Sequence, residues 1–295
     1  MAVHSKRVLI TGSSGFTGRK LFDALRSRGH VVQGLSRTPG EFLHVSEHDS
    51  LRDVISNFRP SHVVHLAGIS FPAHPVNSEV YNSNVLYSAE LLDSLIGMDL
   101  QQVIVVSSAA VYGQTTSTEP ISEEVPPSPI SHYALSKVFV EQMCGLYSKS
   151  LPILITRPFN YIGRGQAEYF FVSKIIKAFK SDQASLSLGN IDIVRDFSDV
   201  RDVIEAYIGL IENDCVGGVV NICSGVGIRL REILDIVSRI TGRNLEVLYD
   251  PKFVRPNEPK VMVGCDKHLN SLIGERQKRP ICDTLKWIIE NDPDK

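Results

Sequence analysis

The chain has 295 residues, of which 43% are hydrophobic, and its 31 Lys and Arg against 33 Asp and Glu give a formal net charge of -2. This composition supports a sizeable core in one large domain or two closely joined ones, and it argues against a nucleic-acid partner. Apolar runs stay well short of the roughly 18 residues of a membrane span, and the N-terminal segment lacks the pattern of a signal peptide.

Short apolar strands alternate with helices through the first half of the chain. Strands are predicted at 8–11, 31–35, 62–66, 103–107 and 153–156, and helices at 19–28, 51–58, 85–96 and 136–147. Alternation of this kind is typical of parallel strands joined by helical crossovers. The predicted fold class is therefore α/β, a Rossmann-type doubly wound parallel sheet.

The pattern loosens after Pro158, where Pro and Gly become frequent and helices are predicted at 170–179 and 229–240. Residues 115–129, rich in Ser, Pro and acidic residues, are predicted to form a loop. We expect a dinucleotide-binding domain over residues 1–157 and a smaller C-terminal α/β portion over 158–295 that mainly binds the substrate. The boundary stays open, because later strands can rejoin the first sheet.

A glycine-rich loop, Thr11-Gly12-Ser13-Ser14-Gly15-Phe16-Thr17-Gly18, joins the first strand to the first helix. Gly12 permits a tight turn, Gly15 lets the backbone approach a pyrophosphate, and Gly18 lets helix and strand pack closely. The helix N-terminus then offers free N–H groups and a partial positive charge to the phosphates. Three glycines alone are weak evidence, but the strand–turn–helix context predicts a dinucleotide site.

The end of the second strand bears on the choice of dinucleotide. An NAD site usually places a carboxylate there for the ribose hydroxyls, whereas this chain has Leu35-Ser36-Arg37. Arg37 can pair with a 2′-phosphate. We therefore expect NADP(H) to be preferred, with NAD(H) possible; the alternative is that Arg37 is solvated surface.

Tyr133 and Lys137 are spaced so that they share one face of a helix, one turn apart. Lowering a tyrosine pKa of about 10 by about 2–3 units needs about 3–4 kcal/mol. One cation near 4 Å, at an effective dielectric of 20, supplies about 4 kcal/mol. We therefore expect Lys137, aided by the positive charge of an oxidised nicotinamide, to make the Tyr133 phenol acidic.

Ser108 follows the strand that precedes this helix, and its hydroxyl can hold a substrate oxygen beside the tyrosine; the alternative is a cap or turn residue. His62 and His65 lie three apart in a strand and point to opposite faces, so we interpret them as structural and expect no metal site. Five scattered cysteines without a CxxC pattern indicate reduced thiols and a cytoplasmic location.

Several motifs together resemble the extended short-chain dehydrogenases/reductases that modify nucleotide sugars, the NAD-dependent epimerase/dehydratase family, and among them most closely the GDP-4-keto-6-deoxy-D-mannose reductases. The motifs are the glycine loop, His65-Leu66-Ala67-Gly68, Ser107 to Gly113, Tyr133 to Lys137, Arg157-Pro158-Phe159-Asn160, Arg195 to Asp202, Asn221 to Gly225 and Arg255-Pro256-Asn257-Glu258-Pro259. The resemblance covers nearly the whole chain.

The resemblance implies a role for each matching residue. Ser108, Tyr133 and Lys137 would be catalytic. The cofactor would be held by Gly12, Gly15, Phe16, Gly18, Ser36, Arg37, Leu66, Ala67 and Gly68, together with Tyr133 and Lys137. The substrate would be held by Asn84, Ser108, Asn160, Arg195, Arg255 and Glu258. The resemblance also implies a homodimer formed through the helix that bears Tyr133.

A sugar dehydratase is excluded, because its acid and base would stand where this chain has Ala109 and Ala110. Three other functions fit these residues. A reductase would deliver hydride from NADPH to a GDP-linked 4-keto-6-deoxyhexose, giving GDP-D-rhamnose or its C4 epimer. A 4-epimerase with bound NAD is the alternative, and a non-catalytic NADP-binding sensor is the third. Spacing reveals neither the nucleotide base nor the configuration at C4.

Overall fold

The computed structural model describes residues 5–36, 42–44, 50–71, 74–114, 119–181, 183–254 and 257–291. The strands are β1 (Arg7–Thr11), β2 (Val31–Ser36), β3 (Leu43–His44), β4 (His62–His65), β5 (Gln102–Val106), β6 (Ile153–Pro158), β7 (Asn160–Ile162), β8 (Ser185–Leu188), β9 (Val194–Asp199), β10 (Val219–Ile222), β11 (Gly227–Arg229), β12 (Glu246–Tyr249) and β13 (Val261–Met262). The α-helices are α1 (Phe16–Ser27), α2 (Leu51–Phe58), α3 (Asn77–Tyr81), α4 (Tyr87–Leu95), α5 (His132–Tyr147), α6 (Phe171–Lys180), α7 (Val200–Glu212), α8 (Leu230–Thr241), α9 (Lys267–Ile273) and α10 (Ile281–Glu290).

The central sheet has the strand order β10-β6-β5-β4-β1-β2-β3, and every pairing in it is parallel. The strand order reverses between β1 and β4, and crevices at such switch points, outside the carboxyl ends of the strands, are where ligands bind in open α/β sheets. The predicted α/β, Rossmann-type doubly wound fold is confirmed.

Side chains alternate across the central sheet and bury both of its faces. Val8 and Ile10 of β1 pack in one core with α1, α7 and α9. Leu9 faces the opposite way, into a second core with α2, α4 and α5. This alternation follows from the two-residue period of a strand, and burial on both faces explains why these strands are continuously apolar.

A second lobe forms from the later elements. Strand β9 lies between β11 and β13 and also pairs with β7, while β8 and β12 form a separate parallel pair. Residues of β7, β8, β9, β11 and β12 share a core with α6, α8 and α10. In contrast, α7, β10 and α9 return to the central sheet, so elements beyond residue 158 contribute to both lobes.

Two helices, α5 and α1, begin before the predicted residue. Helix α5 begins at His132 because Ser131 caps it, accepting a hydrogen bond from the Ala134 amide at 3.1 Å. Helix α1 begins at Phe16, directly after the glycine loop.

Within the described ranges, no helix combines the length and apolar composition needed to cross a bilayer. The same ranges hold no group of three or more His, Cys, Asp or Glu side chains able to bind a metal ion. All five cysteines are free thiols.

Candidate active site

The glycine loop forms a close turn between β1 and α1. Gly12 has φ +70°, and a Cβ there would lie 2.7 Å from the Ala67 amide nitrogen. A Cβ on Gly18 would overlap the Gly12 carbonyl oxygen. Only glycine fits these two positions without displacing backbone. The close turn predicted for the glycine loop is therefore present, and binding of a pyrophosphate at the start of α1 stays a prediction.

The segment after β4 lies against this loop. The Leu66 amide donates to the Thr11 carbonyl at 3.2 Å, and the Ala67 amide donates to Thr11 Oγ1 at 3.3 Å. A Cβ at Gly68 would lie 3.7 Å from Lys137 Nζ, so this segment runs from the glycine loop to the candidate catalytic lysine. The predicted cofactor residues of two adjacent strands thus meet at one edge of the sheet.

The end of β2 lies beside the same loop. Ser36 and Ser14 approach each other at 3.2 Å between their hydroxyl oxygens. A contact between Ser36 and a cofactor ribose stays a prediction. Arg37 lies outside the described residues.

Tyr133 and Lys137 occupy the first two turns of α5 and are 7% and 8% exposed. A side-chain hydrogen bond links Tyr133 with Ser108. Ser108 also caps the short 3-10 helix Ala109–Tyr112, accepting from the Ala110 amide at 3.1 Å. Lys137 Nζ donates to the Val106 carbonyl at 2.9 Å. The structure thus brings the three predicted catalytic residues together, with Ser108 also filling the cap role foreseen as its alternative.

The electrostatics of Tyr133 differ from the expectation. Burial raises its pKa to about 12, and the hydrogen bond from Ser108 opposes this only in part. Burial also lowers the pKa of Lys137 to about 8. Without cofactor, Lys137 therefore does not make the phenol acidic, and its effect together with an oxidised nicotinamide stays a prediction. The free-energy cost of burying the phenolate is larger than the stabilisation that the neighbouring groups give it.

Asn84 is fully buried in the π-helical turn Asn82–Leu86 between α3 and α4. Its amide nitrogen donates to Ser136 Oγ at 2.9 Å and to the Ile69 carbonyl at 3.1 Å, and its oxygen accepts from the Ile69 amide at 2.8 Å. These bonds tie the segment after Gly68 to α5. A contact between Asn84 and substrate stays a prediction.

The predicted phosphate-binding residues lie in the second lobe. Arg195 Nη2 pairs with Glu258 Oε1 at 3.0 Å. Asn160 Nδ2 donates to the Asp196 carbonyl at 3.0 Å, one residue from Arg195. Asn160, Arg195 and Glu258 therefore lie on neighbouring segments around β9. Arg255 falls outside the described residues.

Sequence reasoning missed two contacts near these residues. Tyr161, next to Asn160 on β7, stacks on Phe16 at 6.1 Å between ring centroids and hydrogen-bonds Thr17 at 2.8 Å, so it joins the second lobe to the glycine loop. Glu141 forms a buried ion pair with Arg157. The position of Glu141 four residues after Lys137, on the same face of the helix, was the sequence feature that could have indicated its place near the site.

His62 and His65 both make contacts that account for their presence. His65 is hydrogen-bonded to Thr11 at 2.7 Å and to Ser88 at 2.8 Å, and burial lowers its pKa to about 3. His62 lies 2.7 Å from Asp214. Both side chains therefore hold the ends of the central sheet to neighbouring segments.

Comparison with known proteins places the chain among nucleotide-sugar enzymes. The model of the NAD dependent epimerase/dehydratase family matches residues 8–223. A GDP-6-deoxy-D-mannose reductase of Pseudomonas aeruginosa is 32% identical over 97% of each chain, and a GDP-6-deoxy-D-talose 4-dehydrogenase of Aggregatibacter actinomycetemcomitans is 30% identical over 91% of each. The solved structure of RMD from Pseudomonas aeruginosa complexed with NADPH superposes with a TM-score of 0.82 at 30% identity, covering 97% of this chain and 98% of that one.

Proposed function

Because the chain belongs to the NAD dependent epimerase/dehydratase family, we propose that it is a reductase of a nucleotide-linked 4-keto-6-deoxyhexose. The proposed substrate is GDP-4-keto-6-deoxy-D-mannose, and the product is GDP-D-rhamnose or its C4 epimer. Two relatives whose names refer to GDP-linked 6-deoxyhexoses, each about 30% identical, support this substrate class.

The single observation that carries the proposal is that Ser108, Tyr133 and Lys137 meet at the end of β5. A reductase needs a proton donor for the new alkoxide, and the Tyr133 phenol beside Ser108 can be that donor. An epimerase would use the same three residues, so the choice of a reductase rests on the two relatives named for GDP-linked 6-deoxyhexoses.

The proposed reaction adds a hydride and a proton across the C4 carbonyl. Bound NADPH would supply the hydride. Ser108 holds the carbonyl oxygen, and Tyr133 gives its proton to that oxygen as the C–H bond forms. Lys137, one turn further along α5, carries the positive charge that would oppose the negative charge left on Tyr133. The proton taken from Tyr133 is later replaced from solvent.

The substrate phosphates are proposed to bind beside β9. Arg195 carries the positive charge there, and Asn160 offers an amide that orients a phosphate oxygen. Arg195 already pairs with Glu258, so diphosphate binding would compete with that carboxylate. Arg255 completes the proposed set.

The decisive assay incubates the protein with GDP-4-keto-6-deoxy-D-mannose and either NADPH or NADH. We expect loss of the reduced-cofactor absorbance, faster with NADPH, and one new GDP-deoxyhexose whose C4 configuration is read by NMR. Isomerisation of a UDP-hexose without added cofactor would favour the epimerase. NADPH binding without turnover of any nucleotide sugar would favour the sensor.

The preference for NADPH is proposed from the end of β2. Ser36 replaces the carboxylate that would repel a 2′-phosphate, and Arg37 follows it. The neighbour solved with NADPH is consistent with this choice. Faster turnover with NADH in the same assay would contradict it.

We also propose that two copies of the chain associate through α5. Its outer face carries apolar side chains that are exposed in one chain, with Phe139 49% and Leu146 84% exposed. Large exposed apolar patches mark association surfaces. We expect the double variant Phe139→Asp and Leu146→Asp to elute as a monomer while the unaltered protein elutes as a dimer, with masses measured by light scattering. Val226→Asp, at an equally exposed position elsewhere, serves as the control, and an unaltered mass in the double variant would sink the idea.

A further inference from the structure

Three successive turns of α5 contact the end of β5. Each contact uses a polar side chain spaced four residues from the last, which places all three on one face of the helix. The pairs are Tyr133 with Ser108, Lys137 with the Val106 carbonyl, and Glu141 with Ser107. The catalytic assignment uses the first two pairs and leaves the third without a role.

The third pair belongs to a buried ionic cluster. Ser107 Oγ donates to Glu141 Oε1 at 2.5 Å, Arg157 Nε donates to the same oxygen at 2.9 Å, and Arg157 Nη2 donates to Oε2 at 2.6 Å. Exposure is 2% for Ser107, 8% for Glu141 and 4% for Arg157. The Glu141 carboxylate is therefore held by two bonds from an arginine on β6 and one from the residue that precedes Ser108.

A contribution to folding stability does not explain this cluster. Taking two charges out of water is costly, and well-packed apolar residues in place of a buried ion pair are often as stable or more stable. A buried carboxylate beside a catalytic group instead has an electrostatic effect that apolar residues lack.

The groups that face Lys137 come from several elements. On α5, Glu141 is the largest influence that raises the pKa of Lys137, and Cys144 stays neutral because burial raises its own pKa to about 12. On β4, His65 stays neutral because its pKa is lowered to about 3. The Tyr133 phenol is neutral as well, and the charge of Arg157 on β6 is balanced by Glu141. The carboxylate of Glu141 thus opposes the effect of burial on Lys137.

We propose that Glu141 is a positioning residue of the active site, whose carboxylate fixes Ser107 beside Ser108 and presents the negative end of the Glu141–Arg157 ion pair one helical turn from Lys137. Arg157 holds that carboxylate in place. The part of Lys137 in catalysis rests on the proposed function, but the effect of Glu141 on the Lys137 charge does not.

The test measures the titration of Lys137 directly. Protein labelled with carbon-13 at the lysine ε position is titrated by NMR, and the Lys137 signal is identified by its loss in Lys137→Met. We expect Glu141→Gln, which keeps the shape and removes the charge, to lower the midpoint by at least about 0.5 pH unit, since a nearby charge in a buried site shifts a pKa by that much or more. Glu124→Gln, at an exposed carboxylate, is the control and should leave the midpoint in place.

Two further variants keep the outcome clear if Glu141→Gln folds poorly. The double variant Glu141→Leu with Arg157→Met removes both charges and leaves an apolar pair, so it should fold and show a smaller shift in the same direction. Ser107→Ala removes the hydroxyl without changing charge, and it should lower turnover while leaving the midpoint in place. An unmoved Lys137 midpoint in both charge-removing variants would overturn the proposal.

The titration also separates this inference from the proposed function, because it needs no substrate. A lowered midpoint with no turnover of any 4-keto sugar would keep the role of Glu141 and reject the reductase. Turnover of the 4-keto sugar with an unmoved Lys137 midpoint would keep the reductase and reject the role of Glu141.

Discussion

Tyr133→Phe is expected to lower kcat for reduction of the 4-keto sugar by about 10²–10⁴-fold, which is the usual contribution of a positioned acid or base. The ring stays in place, so the loss falls on proton transfer to the new alkoxide. NADPH affinity should fall far less than kcat, because the glycine loop proposed to hold the phosphates is untouched. Stopped-flow measurement of hydride transfer and fluorescence titration of NADPH separate the two effects.

A matched control lies on the same helix. Tyr147 donates to Asp93 Oδ1 at 2.6 Å and lies nearly four turns along α5 from Tyr133, so Tyr147→Phe makes the same chemical change away from it. We expect its kcat to stay within about twofold of the unaltered protein, since surface substitutions away from special features have small effects. Equal activity of Tyr133→Phe and the unaltered protein would remove Tyr133 from the mechanism.

The sequence predicted the strands of the central sheet well because burial on both faces made them continuously apolar. Helix α7 was not predicted, and its composition gives the reason. Nine of its thirteen residues are buried, including Asp202 and Tyr207, so the helix lacks the single apolar stripe that marks a surface helix. Its place became clear only from its packing against β1 and α1.

The candidate site likewise contains residues that could be predicted from the sequence and residues that could not. Residues within one linear motif, such as Gly12, Gly18 and the Tyr133–Lys137 pair, could be predicted because their spacing alone determines their relation. The cluster of Ser107, Glu141 and Arg157 joins β5, α5 and β6, and three distant segments give no common spacing. The pKa of Tyr133 depends on how deeply the ring is buried, which a sequence pattern does not reveal.

Lys137→Met is expected to abolish most activity and yet to stabilise the protein without bound cofactor. Burial lowers the pKa of Lys137 from 10.5 to about 8, a shift worth about 3 kcal/mol. At neutral pH the folded protein therefore carries a charged amine at a cost that the unfolded chain does not have. Methionine removes that cost but loses the bond to the Val106 carbonyl, worth about 1 kcal/mol, so the net gain is about 2 kcal/mol.

The lowered pKa of Lys137 also makes the stability of the unaltered protein depend on pH. Between pH 8 and 10.5 the unfolded chain holds the lysine proton and the folded protein releases it, so the unaltered protein gains stability as the pH rises through that window. The advantage of Lys137→Met should therefore be full below pH 8 and shrink steadily above it. Urea unfolding at pH 7 and at pH 9.5 measures both values, with the exposed Lys286→Met as the control. A variant less stable than the unaltered protein at pH 7, or an advantage that grows with pH, would show that the Lys137 ammonium is stabilised where it lies, and that its charge is matched by the protein before any cofactor binds.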